Sequence, residues 1–160
     1  MKFRIRWMMV PALLAALAGC ELGDDDSFQS RKLTEARTRW ESRNVTSYSY
    51  VLELQCFCAP AAELRPVLVT VRNGAVASLQ YYHENPAQRT PAPASIFGPY
   101  DTVDELFDIV DDAIDRDADV LQVGYDEEYG FPSALNVDYD AGGDDQKLFF
   151  VTQFTPSTTA

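Results

Sequence analysis

Few side chains in this sequence could do chemistry. Cys56 and Cys58 stand two apart at the end of the run Y-S-Y-V-L-E-L-Q-C-F-C that begins at Tyr48, His83 is the single histidine, and Asp104, Asp108, Asp111 and Asp115 recur at helical spacing. A thiol pair can close a disulfide, exchange it with another thiol, or contribute two ligands to Cu(I) or zinc. In an extended chain, Cα atoms two residues apart stand about 6.6 Å from one another, at the upper limit for a disulfide. A Cys56–Cys58 bond therefore requires the chain to bend, and Pro60 marks the place where the strand is already ending. Four states of the pair follow: a structural disulfide, a strained and redox-active one, a soft-metal site completed by further ligands, and free buried thiols.

The remaining candidates are weaker. His83 lies beside Glu84 at the end of a strand pattern, and any histidine-dependent mechanism must use it. The four aspartates could offer oxygen ligands to Ca²⁺ or Mg²⁺, but carboxylates strung along one helix side do not converge on one ion, so a solvated face is expected. The same holds for Asp126-Glu127-Glu128 and Asp144-Asp145. There is no glycine-rich phosphate loop, no Gly-x-Ser-x-Gly and no His-Glu-x-x-His. The sequence thus names no catalytic residue, no metal ligand set and no cofactor site, and a non-enzymatic role is the default expectation.

The elements that must position the thiols come next. Side chains alternate across a strand, so Tyr48, Tyr50, Leu52, Leu54, Cys56 and Cys58 project to one side while Ser47, Ser49, Val51, Glu53, Gln55 and Phe57, a mostly polar set, project to the other. The first set reads as a core stripe, with both thiols at its buried end. Leu33, Ala36 and Trp40 recur at helical spacing over Arg31–Arg43, with Trp40 as the anchor onto the sheet and Asn44 as a left-handed stop. Val67–Arg72, Asn73-Gly74 and Ala75–His83 read as a strand, a tight hairpin turn and its return. Four prolines between Glu84 and Pro99 exclude a central strand or helix interior there. Thr102-Val103-Asp104-Glu105 matches a capping box that opens a helix to about Arg116. Val120–Tyr125, Ala134–Asp140 and Lys147–Phe154 supply three further strands.

The order α-β-β-β-α-β-β-β predicts an α+β domain, one antiparallel six-stranded sheet with two helices on one face. Its other face is left exposed or ligand-binding, and the strand order across the crossover does not follow from pattern alone.

The first twenty residues have another character. Lys2, Arg4 and Arg6 precede the apolar run Trp7–Ala18, which is about a dozen residues and short of the roughly 20 needed to span a bilayer. Leu17-Ala18-Gly19-Cys20 resembles a bacterial lipobox, which implies a signal peptide over 1–19, acylation of Cys20 and attachment to a membrane surface. Residues 20–30, centred on Asp24-Asp25-Asp26, read as a disordered acidic tether, 31–155 as the single domain, and 156–160 as a flexible tail. Glu21 after the cysteine resembles lipoproteins sorted onward to an outer membrane, facing the periplasm, in a two-membrane bacterium.

The full chain of 160 residues has a net charge of −12. Removing the three leading basic residues from 13 leaves 10 against 25 acidic ones, near −15. Such a field repels nucleic acid and anionic lipid head groups.

Trp40, the Tyr48-x-Tyr50 strand, the Cys56-Phe57-Cys58 ending, the Asn73-Gly74 hairpin, the acidic helix around Leu106-Phe107 and the turn from Tyr125-Asp126 to Gly130-Phe131-Pro132 occur together. In this combination the chain resembles the bacterial, often lipoprotein-borne family known as domain of unknown function 6174, over roughly Leu33 to Phe154. The resemblance implies an exported domain and assigns no catalytic residue.

Two functions are expected to compete. The first is a non-catalytic envelope module that binds a protein or other envelope component through its open sheet face or proline-rich loop, helped by Tyr81, Tyr82, Tyr100, Tyr125 and Tyr129. The second is a thiol-redox or soft-metal-handling lipoprotein using Cys56 and Cys58. Solvent access to the sulfurs separates them.

Overall fold

The computed structural model describes residues 25–140 and 142–157; the expected signal peptide, the lipobox and Cys20 lie outside the described residues. The long elements are α1 (Asp25–Ser42), β1 (Tyr48–Cys56), β2 (Val67–Arg72), β3 (Ala75–Tyr81), a short α2 (Ala94–Phe97), α3 (Val103–Asp115), β4 (Val120–Tyr125), β5 (Pro132–Asp138) and β6 (Lys147–Pro156). The strands form one sheet in the order β3-β2-β1-β6-β5-β4, antiparallel throughout. Each trio is a meander, and the crossover through α3 carries the chain to the far edge at β4, from which it returns inward. The first and last strands therefore meet at the centre of the sheet.

α1 and α3 pack on one face. Leu33, Ala36 and Trp40 of α1 and Val103, Leu106, Phe107, Val110 and Ala113 of α3 are buried against Tyr50, Leu52, Leu54, Leu135, Val137 and Phe149 of the sheet. Trp40 stands edge-on to Tyr48, Phe131 and Phe154, with ring centroids 5.4, 6.3 and 6.0 Å away. This edge-to-face packing is the arrangement that aromatic quadrupoles favour.

Several local expectations hold for the stated reasons. Asn44 stops the first helix at φ 51°, and Asn73 and Gly74 adopt φ of 50° and 76° in the hairpin turn. The Thr102 hydroxyl accepts from the Glu105 N–H at 3.2 Å, while the Glu105 carboxylate accepts from Asp101 at 3.3 Å, one residue ahead of the cap.

Other features differ. The segment 25–30, read as tether from its charge, is helical and continues into α1. At the other end, β6 runs through Pro156, and the Ser157 N–H donates to the Ser47 carbonyl at 2.8 Å, so the sheet claims the first residues of the expected tail. A bulge in β6 sets two residues, Gln153 and Phe154, opposite Tyr50, with Gln153 at φ 51°. That extra residue restores Phe154 to the same face as Phe149 and Val151. Gly130, at φ 89°, brings the β4–β5 turn against α1: a Cβ there would lie 2.5 Å from the Ala36 carbonyl oxygen.

Candidate functional site

β1 delivers the cysteines to the surface end of the sheet. The strand ends at Cys56, the chain turns, and a disulfide joins Cys56 to Cys58 with their Cα atoms 5.2 Å apart. The bend that extended spacing demanded is therefore present. It also overturns the expected placement of the thiols: Cys56 is half-buried against the core, but Cys58 has left the strand and is exposed. Between them Phe57 is 81% exposed.

Phe57 begins an apolar track. With Gln55, Cys56, Gln146 and Leu148 it lines a groove of ≈ 250 Å³. Leu148 also lines a second groove of ≈ 380 Å³ on the open sheet face, together with Gln122, Gly124, Ala134, Asn136 and Phe150 and with Val123 and Leu135. Register explains this assembly: Gln122 pairs with Asn136 and Asn136 with Leu148, while Gly124 pairs with Ala134 and Ala134 with Phe150. Gly124 and Ala134 lack the side chains that would fill the hollow. Phe150 is 38% exposed at its edge. The amides are ordered among themselves, Asn136 donating to Gln122 at 3.3 Å and Gln146 to Asn136 at 3.0 Å. In a chain with 24% charged residues, the linings of these two grooves carry no charge; exposed Glu53, the β1 partner of Phe150, borders them.

Sequence reasoning missed Phe150 and Leu148. The signal was the pair Phe149-Phe150, since adjacent residues of one strand cannot both face the core. It named five tyrosines instead, as interface or core residues. Tyr100 is buried, and Tyr81, Tyr82, Tyr125 and Tyr129 are half-buried, mostly packed against the core cluster.

The other candidates are dispersed. His83 is exposed and its Nδ1 accepts from the Asn85 N–H at 3.0 Å, a turn-stabilising bond. Asp104, Asp108, Asp111 and Asp115 are exposed along α3, and Arg37 of α1 reaches Asp108 and Asp111 at 3.4 and 4.0 Å. Among the described residues no three His, Cys, Asp or Glu side chains gather as a metal site. A further cleft of ≈ 380 Å³ beside α3 includes Asp112, Arg116, Tyr139 and Lys147 in its lining, and three of these bond to one another: Tyr139 donates to Asp112 at 2.9 Å and Arg116 bridges Asp112 at 3.2 Å.

Burial perturbs protonation around the start of α3. The Tyr48 hydroxyl accepts from the Val103 N–H at 2.9 Å and the Tyr50 hydroxyl donates to the Tyr100 carbonyl at 2.6 Å, so the Tyr-x-Tyr motif anchors the start of α3. Burial pushes Tyr48 up to about 12 and Tyr50 well above its ordinary value. Beside them Asp101 is raised to about 7 by burial and by its neighbour Glu105.

A family model described as a family of unknown function (DUF6174) matches residues 32–156. The chain belongs to that family. No curated protein and no solved structure matches it. The matched span of this DUF6174 domain contains every strand, the disulfide and both grooves of the open face.

Proposed function

We propose that this DUF6174 protein is a lipid-anchored, non-catalytic binding module of the cell envelope, and that it engages its partner through the open face of the sheet. The observation that carries this reading is the uncharged apolar track from Phe57 through Leu148 to Phe150. Loss of charge with retained aromatics is the composition of an interface core, not of ordinary acidic surface. The disulfide supports the reading structurally, because the short ring turns the chain and holds Phe57 outward. The anchor rests on the lipobox-like Leu17–Cys20, and no described helix is long and apolar enough to cross a membrane.

A photo-cross-linking amino acid at position 57 or 150 of the full chain, expressed in its own host, tests the face; position 38, exposed on α1, is the control. A discrete product from 57 and 150 and none from 38 is expected. No product from the face, or equal products from all three positions, sinks the proposal. For the anchor, the mature N-terminus is expected to carry acyl mass on Cys20, and Cys20→Ala is expected to leave the membrane fraction; an unmodified Cys20 ends that part.

Thiol redox keeps one specific observation in its favour, the exposure of Cys58. An external dithiol could reach that sulfur, with the disulfide reduced to two thiols and the dithiol oxidised to its own disulfide. A bond that titrates near −200 mV favours this second reading, and one that resists below about −300 mV removes it.

A further inference from the structure

The two edges of the sheet are treated differently. β3, at one edge, is covered by the proline-rich loop: the Ala92 N–H donates to the Leu79 carbonyl at 3.0 Å, the Tyr81 N–H to the Thr90 carbonyl at 2.8 Å, and Gln80 bridges Pro91. β4, at the other, pairs only with β5, and among the described residues nothing bonds along its outer side. Proteins ordinarily blunt such an edge with charge, proline, a bulge or a cover. β4 reads V-L-Q-V-G-Y, without charge or proline, and its one register irregularity falls at its very end, between Gly124 and Tyr125.

We propose that β4 is a strand-addition site, and that its occupant is an extended segment of a partner protein with uncharged residues at its centre and lysine or arginine at both ends. This rests on the binding-module reading above and narrows it to one edge. An added strand gains affinity from main-chain bonds and specificity from pockets that take its alternate side chains. β4 has a hollow on each face. On the open side lies the groove over Gln122 and Gly124. On the helix side a groove of ≈ 240 Å³ is lined by Lys32, Glu35, Ala36 and Arg39 of α1 and by Val123 and Tyr125. The Tyr125 hydroxyl there is buried without a hydrogen-bond partner among the described residues.

Charge selects the occupant. Asp117 and Asp119 precede the strand, and Asp126, Glu127 and Glu128 follow it. A second copy pairing antiparallel along β4 would set the first group of one chain beside the second group of the other, acid against acid. A basic-ended segment meets both groups favourably, its uncharged centre avoids repulsion by Lys32 and Arg39 beside Val123 and Tyr125, and the chain's net charge of −12 steers it inward.

The test uses the full chain in detergent and, as probe, a capped peptide with Val-Thr-Val-Thr-Val at its centre and two lysines at each end. Hydrogen exchange is followed by mass spectrometry. Amides of residues 120–125 are expected to slow on peptide addition, the more so at low salt. N-methylation of alternate peptide nitrogens is expected to weaken binding at least about tenfold, the worth of one or two backbone hydrogen bonds. Gln122→Lys, an exposed change that retains the melting temperature, is expected to weaken it also. Unchanged exchange over 120–125, equal protection by a peptide with glutamates for the lysines, or indifference to N-methylation overturns the proposal. So does protection that rises with protein concentration alone, which marks a second copy. Protection confined to residues 148–150 overturns strand addition while leaving the open-face reading intact. Silence there as well as in cross-linking from 57 and 150 removes both.

Discussion

The hydroxyl of Tyr48 caps the backbone of Val103, accepting its N–H at 2.9 Å across 55 residues of sequence. Val103 is the first residue of α3, where helical N–H groups have no partner of their own. The central strand thereby fixes where α3 begins, and through it the crossover that carries the chain out to β4. Tyr48→Phe keeps the ring against Trp40 but leaves a buried donor unpaired. It is expected to cost about 1–2 kcal/mol in chemical denaturation. A variant as stable as the parent would show that water or a shifted Thr102 takes over the cap.

Gly130 is the second fixed point. Its φ of 89° and the 2.5 Å approach that a Cβ would make to the Ala36 oxygen combine strain with a clash against α1. Gly130→Ala is expected to lose more than about 2 kcal/mol. Gly124→Ala provides the comparison, because Gly124 lies within β4, has no positive φ, and a Cβ there would meet the Ala134 side chain at an ordinary 3.4 Å. It is expected to stay within about 0.5 kcal/mol of the parent. Equal melting curves for the two variants would contradict the close packing of the β4–β5 turn on the helix.

The contrast between these glycines and the cysteines shows what pattern could convey. Alternation read correctly that Tyr48 to Leu54 face the core, and composition marked the Asn73-Gly74 turn, because both depend on neighbours in sequence. Cys58 was misplaced because alternation holds only while the strand lasts, and the strand ends at Cys56. The β6 bulge, the pairing of β1 with β6 and the hollow above Gly124 depend on contacts between distant strands. No local period encodes them. The tether was likewise read from charge alone, whereas residues 25–30 gain their helix by continuing the turn set by Leu33, Ala36 and Trp40.

Asp101 supplies a pH dependence with a definite sign. Burial, then Glu105, raises its folded pKa from an ordinary 3.8 to about 7. The fold therefore prefers the protonated carboxyl: this contribution is fully present below about pH 4 and is lost as the pH rises through about 7. The groups facing it are Glu105 on its own turn and the neutral hydroxyls of Tyr48 and Tyr50 from β1. Asp101→Asn mimics the protonated form and removes the titration. Its melting temperature is expected to fall less than the parent's between about pH 5 and pH 8, the gap widening toward the alkaline end. Parallel curves over that range would show that the carboxylate is already ionised in the fold.

Removing the disulfide separates display from stability. A ring closed by neighbours two apart restrains little chain, so Cys56→Ala with Cys58→Ala is expected to cost only about 1–2 kcal/mol. Phe57 is different, because 81% of it is exposed and packing does little to hold it. Without the ring the strand can continue past Cys56, and alternation then no longer requires the bend that presents Phe57 beside Leu148. Cross-linking from position 57 is therefore expected to fall in the double variant while cross-linking from position 150, held within β6, persists. Loss at both positions together with a large drop in melting temperature would make the disulfide a core element. Loss at neither would show that Phe57 reaches the partner without the ring and that the disulfide is not what displays it.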